Sequence, residues 1–184
     1  MICAVEPVEI RTARLLLRAF DLGDLETLLA EVQDPEVPRW TRMPSPYTEQ
    51  DGREWLGTTA PGQWAAGTGT PFAVVELASG RLVGSIGLHD ITGGSAEIGY
   101  WCARDARGQG LMTEAVTAVS AWGFETLGLE RIAWYAGVGN WASRRLAERC
   151  GYTIEGVLPL GMEQRGEHID CWFGRRLATD PPVR

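Results

Sequence analysis

Arg107-Gly108-Gln109-Gly110-Leu111-Met112-Thr113-Glu114-Ala115 joins two unlike segments through a glycine-rich turn. Ahead of it, Ala96-Glu97-Ile98-Gly99-Tyr100-Trp101-Cys102-Ala103 reads as a strand. Behind it, Met112, Ala115, Val116 and Val119 recur at helical spacing. Gly108 and Gly110 carry no side chain, so an anion can approach the backbone closely. The N–H groups of the first helical turn have no partner inside the helix, and the helix dipole adds about half a positive charge there. Such a turn fits a phosphate. The plainer alternative is a strand-to-helix turn that needs glycine for geometry alone. Two phosphate motifs are excluded. The chain has no lysine, so a triphosphate loop ending in Gly-Lys-Ser or Gly-Lys-Thr is absent. Thr113 stands where a dinucleotide fingerprint needs its third glycine.

Outward from this junction the chain lays out in order. Residues 9–20 read as a first strand. Asp21 caps a helix to about Val32, with Leu25, Leu28, Leu29 and Val32 on one face. Residues 34–47 are proline-rich and read as a loop. Thr48 with Asp51 resembles a capping box and opens a helix to about Ala66. Phe72–Leu77 and Arg81–Ile91 form a hairpin about Ser79-Gly80, and the strand at 95–103 follows Thr92-Gly93-Gly94. The helix after Gly110 runs to about Leu127. Arg131–Val138 is a strand. The helix from Asn140 buries Ala142, Leu146 and Cys150 and exposes Arg144, Arg145 and Glu148. Tyr152–Pro159 and Glu167–Leu177 are the last strands, with Gly161–Gly166 between them. The tail from Ala178 is expected to fray. The order predicts an α/β (α+β) architecture: a mixed, mainly antiparallel sheet of about seven strands with helices on both faces.

Composition sets bounds. The length, 184 residues, suits one domain, and 45% hydrophobic residues can bury a sizeable core. Cys3, Cys102, Cys150 and Cys171 show no metal-knuckle or disulfide spacing and read as free thiols of a reducing, cytoplasmic compartment. No signal peptide and no membrane span are expected. A formal net charge of −7 argues against DNA and suits a cationic acceptor or plain solubility. His89 and His168 lack the spaced partners of a metal site, so no metal is expected.

The junction also carries a resemblance. Arg107-x-x-Gly110 after Ile98-Gly99-Tyr100-Trp101 resembles the acyl-CoA loop of the GNAT acetyltransferase superfamily, whose pattern is Arg or Gln, two residues, Gly, one residue, then Gly or Ala. Met112 fills the last place, as in the RimJ/RimL-type branch that acetylates ribosomal-protein N-termini. Asn140-Trp141-Ala142-Ser143 through Gly151-Tyr152 is similar to the family's Asn-x-x-Ser helix ending in Gly-Phe or Gly-Tyr, and Thr12–Arg18 resembles the branch's first strand. The resemblance spans about residues 9–178. It implies one acyl-CoA N-acyltransferase domain over 1–184, with a core of about 9–178 and a flexible tail at 179–184. It also implies acetyl-CoA as cofactor, no metal and direct transfer to a primary amine. A homodimer is compatible with it.

The resemblance implies roles by residue. Trp101, Cys102 and Ala103 would pair their backbone with the pantetheine arm, as an extra strand would. Arg107, Gly108, Gln109, Gly110, Leu111, Met112 and Thr113 would hold the pyrophosphate. Asn140 and Ser143 would contact the pantetheine side, although Asn140 also suits a plain N-cap. Ser143 stands where the branch has a serine that serves the leaving thiolate. The tyrosine of many relatives is replaced here by Ala147. Proton removal favours an α-amine acceptor. With a pKa near 8 against about 10.4 for lysine, it is easier to deprotonate by roughly 3.5 kcal/mol. A carboxylate acting through water then suffices, and Glu97 is the expected base. No cysteine has a partner base for a covalent intermediate. Trp40, Trp55 and Trp64 lie in the part of the fold that shapes the acceptor site. His168 is expected near it, on one strand face with Asp170, and Trp101 and Trp172 reach toward it. Three functions stay open: acetylation of a protein N-terminal amine, acetylation of a small amine such as an antibiotic or polyamine, and acyl-CoA binding without turnover. The donor is open between acetyl and succinyl.

Overall fold

The computed structural model describes residues 6–182, so Cys3 and the last two residues of the tail lie outside it. One sheet of eight strands runs in the order β1-β2-β3-β4-β5-β6-β8-β7. The strands are β1 (Ile10–Arg11), β2 (Leu15–Ala19), β3 (Phe72–Glu76), β4 (Leu82–Thr92), β5 (Ser95–Cys102), β6 (Arg131–Gly137), β7 (Thr153–Gln164) and β8 (Glu167–Leu177). The extra strand comes from the expected first one. Thr12 N–H donates to the Leu15 carbonyl, and Leu15 N–H donates back to the Thr12 hydroxyl. This tight turn folds Ile10 onto Leu17 as an antiparallel pair.

The helices are α1 (Leu25–Val32), α2 (Glu36–Trp40), α3 (Glu49–Glu54), α4 (Ala60–Ala66), α5 (Leu111–Glu125) and α6 (Trp141–Arg149). Thr48 and Asp51 cap α3 reciprocally, as their spacing implies. A π turn at Trp55–Thr59 then separates α3 from α4, where one continuous helix was expected. Pro61 lies in the first turn of α4 and has no N–H for the turn before it, so the backbone widens there. Helix α2 lies in the stretch expected to be loop. Pro35 and Pro38 sit at its cap and in its first turn, where a missing N–H costs nothing.

The core lies on both faces of the sheet. Leu15, Leu17, Phe72, Val74, Ile86, Leu88, Ile98 and Ile132 meet Leu111, Ala115, Val116 and Val119 of α5. On the other face Phe20, Leu28, Val32, Val37, Leu56 and Trp101 form a second cluster. Two expectations need correction. Ala142 is exposed; α6 begins at Trp141 and buries Ala147 in its place, while Cys150, buried as expected, caps the helix. The connection Gly161–Gly166 is mostly strand: β7 runs on to Gln164, and only Arg165-Gly166 turns, both at positive φ (52° and 81°), as a two-residue hairpin loop requires. At the start of the tail, the Asp180 carboxylate accepts the Leu177 N–H at 2.8 Å.

Candidate active site

Strands β5 and β6 are the parallel pair of this sheet, and they pair only from Ser95↔Arg131 to Ile98↔Trp134. Beyond that point β5 continues to Cys102 against β4, while β6 continues to Gly137 against β8. The two strands part, and the β6-facing edge of β5 is left without a strand partner from Gly99 onward. A cleft of about 830 Å³ opens there. Side chains alternate along β5. Glu97 and Trp101 face the side of α1–α3, and Tyr100 faces α6.

At one end of the cleft is the glycine turn. Gly108 and Gly110 take φ of 77° and 76°, a left-handed conformation that costs other residues strain, and a side chain on Gly108 would meet open space. Leu111, Met112 and Thr113 line the cleft at the start of α5. Met112 departs from the small residue of the motif, and Gly84 on β4 makes room for it. A Cβ there would lie 2.9 Å from Met112 Cε. Arg107 does not point freely into solvent. Its Nε donates to the Cys102 carbonyl at 3.0 Å, and its Nη2 lies 2.7 Å from Asp34. Arg104 also pairs with Asp34, and this holds the Asp34 carboxyl down at about 2. Arg14, from the β1–β2 turn, clamps the outside of the loop through the Gln109 carbonyl and Glu114.

At the parting itself, Ser143 and Asn140 line the cleft from α6. Asn140 Oδ1 accepts the Ser143 N–H at 3.1 Å, the N-cap geometry. The Ser143 hydroxyl lies 3.0 Å from the Tyr100 phenol and accepts from Trp134 Nε1 at 3.1 Å. Tyr100 thus sets a phenol beside Ser143, about one helical turn before Ala147. Across the strand, Glu97 is half-buried, and Arg42 Nη2 lies 3.5 Å from its Oε1. Burial raises the Glu97 carboxyl, while Arg42 opposes the rise. His89 stands directly opposite Glu97 in the β4–β5 register. Its ring lies in the hollow left by Gly87 and Gly99, and burial lowers its pKa, so the imidazole is neutral near pH 7.

Trp40, Trp55, Trp101 and Cys102 all line the cleft. Five other residues read as site residues from the sequence stand elsewhere. Trp64 is 1% exposed and packs edge-on against Phe72 in the main core. Ala103 is fully buried; its N–H donates to the Val83 carbonyl and its own carbonyl accepts from Ala106, so neither backbone group is left for a ligand. The Gln109 side chain turns back to the Asp105 carbonyl. His168 is exposed on the β7–β8 hairpin, away from the cleft lining, and Asp170 accepts from Leu160 N–H. Trp172 packs at a tilt of 57° against Trp141, with ring centroids 4.6 Å apart, and is not among the residues that line the cleft. The sequence reading missed His89, Tyr100, Trp134 and Arg42. The alternation of β5 places Tyr100 opposite to Glu97, but only strand register brings His89 and Trp134 to the site. Among the described residues no group of three His, Cys, Asp or Glu stands together as a metal site would require, and no helix is long and apolar enough to cross a membrane.

Residues 14–153 match the model of the acetyltransferase (GNAT) domain, which covers most of the chain. The chain belongs to the GNAT acetyltransferase family. A Bacillus subtilis (strain 168) protein named as a candidate ribosomal N-acetyltransferase, YdaF, is 41% identical over 99 residues, 53% of this chain and 54% of that protein. The aligned stretch therefore spans about half the length of that relative. The structure of a candidate ribosomal-protein-serine acetyltransferase from Vibrio cholerae superimposes with a TM-score of 0.83 at 26% identity, covering 92% of this chain and 97% of that one. Mycobacterium smegmatis RimJ, solved with CoA-disulfide, shares the fold at a TM-score of 0.82 and 22% identity, covering 95% of this chain and 87% of that one.

Proposed function

We propose that this GNAT protein transfers an acetyl group from acetyl-CoA to the α-amine of a protein N-terminus. One observation carries the reading. At the parting of β5 and β6, Glu97 lies on one face of β5 and Ser143 on the other, with the Gly108–Thr113 turn at the cleft end. Acetyl-CoA supplies an activated thioester. The amides of residues 108–113 hold its pyrophosphate, the open edge of β5 beyond Ile98 pairs with the pantetheine amides, and Asn140 and Ser143 flank that arm. Arg107 shapes the turn through Cys102 and Asp34. Glu97, raised by burial, takes the proton of the incoming amine through water. Ser143 donates a hydrogen bond to the leaving sulfur. Trp40 and Trp55 border the acceptor end.

Transfer is direct. Cys102, the cysteine in the cleft lining, is pushed up to about 11 by burial and stays a neutral thiol. The α-amine acceptor is supported by the mild base and by the name of the Bacillus relative. A small cationic amine is the second reading, favoured by Glu36 and Glu97 among the aromatic rings of the cleft. We extend the reading to a single acyltransferase domain working in the cytoplasm, with an acyl-CoA and an amine as partners and neither DNA nor membrane.

The test is isotope-labelled acetyl-CoA offered with peptides bearing free N-termini, N-blocked lysine peptides and a panel of polyamines and aminoglycosides. Label on the free N-terminal peptides is the expected result. Label only on small amines moves the assignment to the second reading. Binding of acetyl-CoA without transfer to any amine makes the protein a non-catalytic acyl-CoA-binding module.

A further inference from the structure

Trp134 sits at the last residue pair before β5 and β6 part, and it is 1% exposed. Its indole N–H can only donate. It lies 3.1 Å from the Tyr100 phenol oxygen and 3.1 Å from Ser143 Oγ. The Tyr100 phenol lies 3.0 Å from Ser143 Oγ and 3.3 Å from the Ser143 carbonyl. Three protons therefore share a small set of oxygens, and their arrangements can be enumerated. In one, Ser143 donates to the Tyr100 oxygen while Tyr100 donates to the Ser143 carbonyl. The serine proton is then spent inside the protein. In the other, Trp134 N–H and Tyr100 O–H both donate to Ser143 Oγ and fill its two lone pairs. The serine proton is then turned outward, into the cleft. Rotation of two hydroxyl groups interconverts the two arrangements without moving a heavy atom.

We propose that Tyr100 and Trp134 are positioning residues that hold the Ser143 hydroxyl as a hydrogen-bond donor to the departing sulfur. This rests on the reading of Ser143 given above. In the transfer the amine nitrogen forms the C–N bond, the C–S bond breaks, and its electron pair goes to sulfur. The amine proton leaves through water to Glu97. The thiolate departs as a hydrogen-bonded anion and takes its proton from solvent after release. Full proton transfer along the chain would leave a tyrosinate inside the fold, and burial raises the Tyr100 phenol far above its ordinary value. A neutral donor aimed at developing charge stabilises the anion without that cost.

The same donor should favour bound CoA as its thiolate, which gives a readout independent of turnover. Calorimetric titrations of CoA at pH 7 and pH 9, with acetyl-CoA as the thiol-free control, measure it. Over this range the neighbouring groups hold still. Cys102 is pushed up to about 11 and Cys150 is also raised by burial. The Arg145 and Arg149 guanidinium groups on the α6 wall of the cleft stay charged. On the far face, His89 is neutral throughout. A thiol lowered by one unit in the complex tightens CoA binding severalfold, at most about sixfold, between these pH values. Ser143→Ala should abolish that gain, and Tyr100→Phe should reduce it.

Kinetics complete the test. Ser143→Ala should lower kcat about 100-fold. Tyr100→Phe should lower it about tenfold. The double variant should be no slower than Ser143→Ala, with KM for acetyl-CoA changing far less than kcat throughout. An impaired Ser143→Ala combined with a fully active Tyr100→Phe, or with strictly additive losses, overturns the positioning role and leaves Ser143 in place. A fully active Ser143→Ala overturns the thiolate reading itself. Tyr100→Phe removes one oxygen and keeps the ring, so its fold is preserved where Trp134→Phe would leave a cavity.

Discussion

Glu97 lies one residue before the sheet parts, and its neighbours set its acidity. Burial raises it and Arg42 opposes the rise. A carboxylate acts as base only when ionised, so turnover should fall as pH drops through a value above the usual carboxylate range. Glu97→Gln should remove that acid limb and lower kcat about 100-fold or more. Arg42→Gln removes the cation that favours the charged form, so the limb should move to higher pH while the maximal rate persists. A pH–rate profile of both variants checks the signs. The sequence allowed Glu97 to be found because alternation along one strand is local information. His89 was passed over as isolated because its partner is 8 residues away on another strand, and only register joins them. Trp64 misled for the converse reason: its indole N–H finds the Pro71 carbonyl in the core, so nothing in its composition or spacing told it from Trp40 and Trp55.

Elements follow the same division. The turn at Gly108 and Gly110 was legible because positive φ and a helix start are properties of a few consecutive residues. Gly110→Val forces a branched side chain into that φ, against the Arg14 guanidinium that clamps the turn. It should weaken acetyl-CoA binding at least tenfold, about 1.4 kcal/mol, by calorimetry. The β7–β8 hairpin was misread because Gly161 and Pro159 look like a turn. They instead occupy a register shift between Leu158 and Met162, which lets the strand run on. That extension matters. Gln164 Nε2 reaches back to the carbonyls of Arg39 and Thr41 at 2.9 and 2.8 Å, holding the segment that carries Trp40 and Arg42. Gln164→Ala should therefore raise KM for the acceptor severalfold and leave acetyl-CoA affinity unchanged, in steady-state kinetics with each substrate varied. No sequence pattern announces such a tie, because it joins residues more than 120 positions apart.

At the scale of the molecule, the strand order places every strand before Gly128 on one side of the β5–β6 pairing and every strand after it on the other. The overall architecture was legible because the hydrophobic periods of the main strands and helices were intact; the parting depends on how far two distant strands pair, which no local pattern records. Acetyl-CoA at 100 times its Kd should stabilise the fold by about 2.7 kcal/mol, a rise in Tm of about 5–10 °C by calorimetric scan. Four residue pairs, Ser95↔Arg131 to Ile98↔Trp134, join the two sides of the sheet. The chain passes between those sides once, at the Gly128 corner, where a φ of 66° marks a turn. A molecule lodged in the cleft touches both banks and acts as a rivet across the seam. Amide hydrogens of Ser95–Ile98 and Arg131–Trp134 should then exchange more slowly with CoA present than those of any other strand pair. A polypeptide nicked at Gly128 should have its two pieces held together more firmly with the ligand bound than without it.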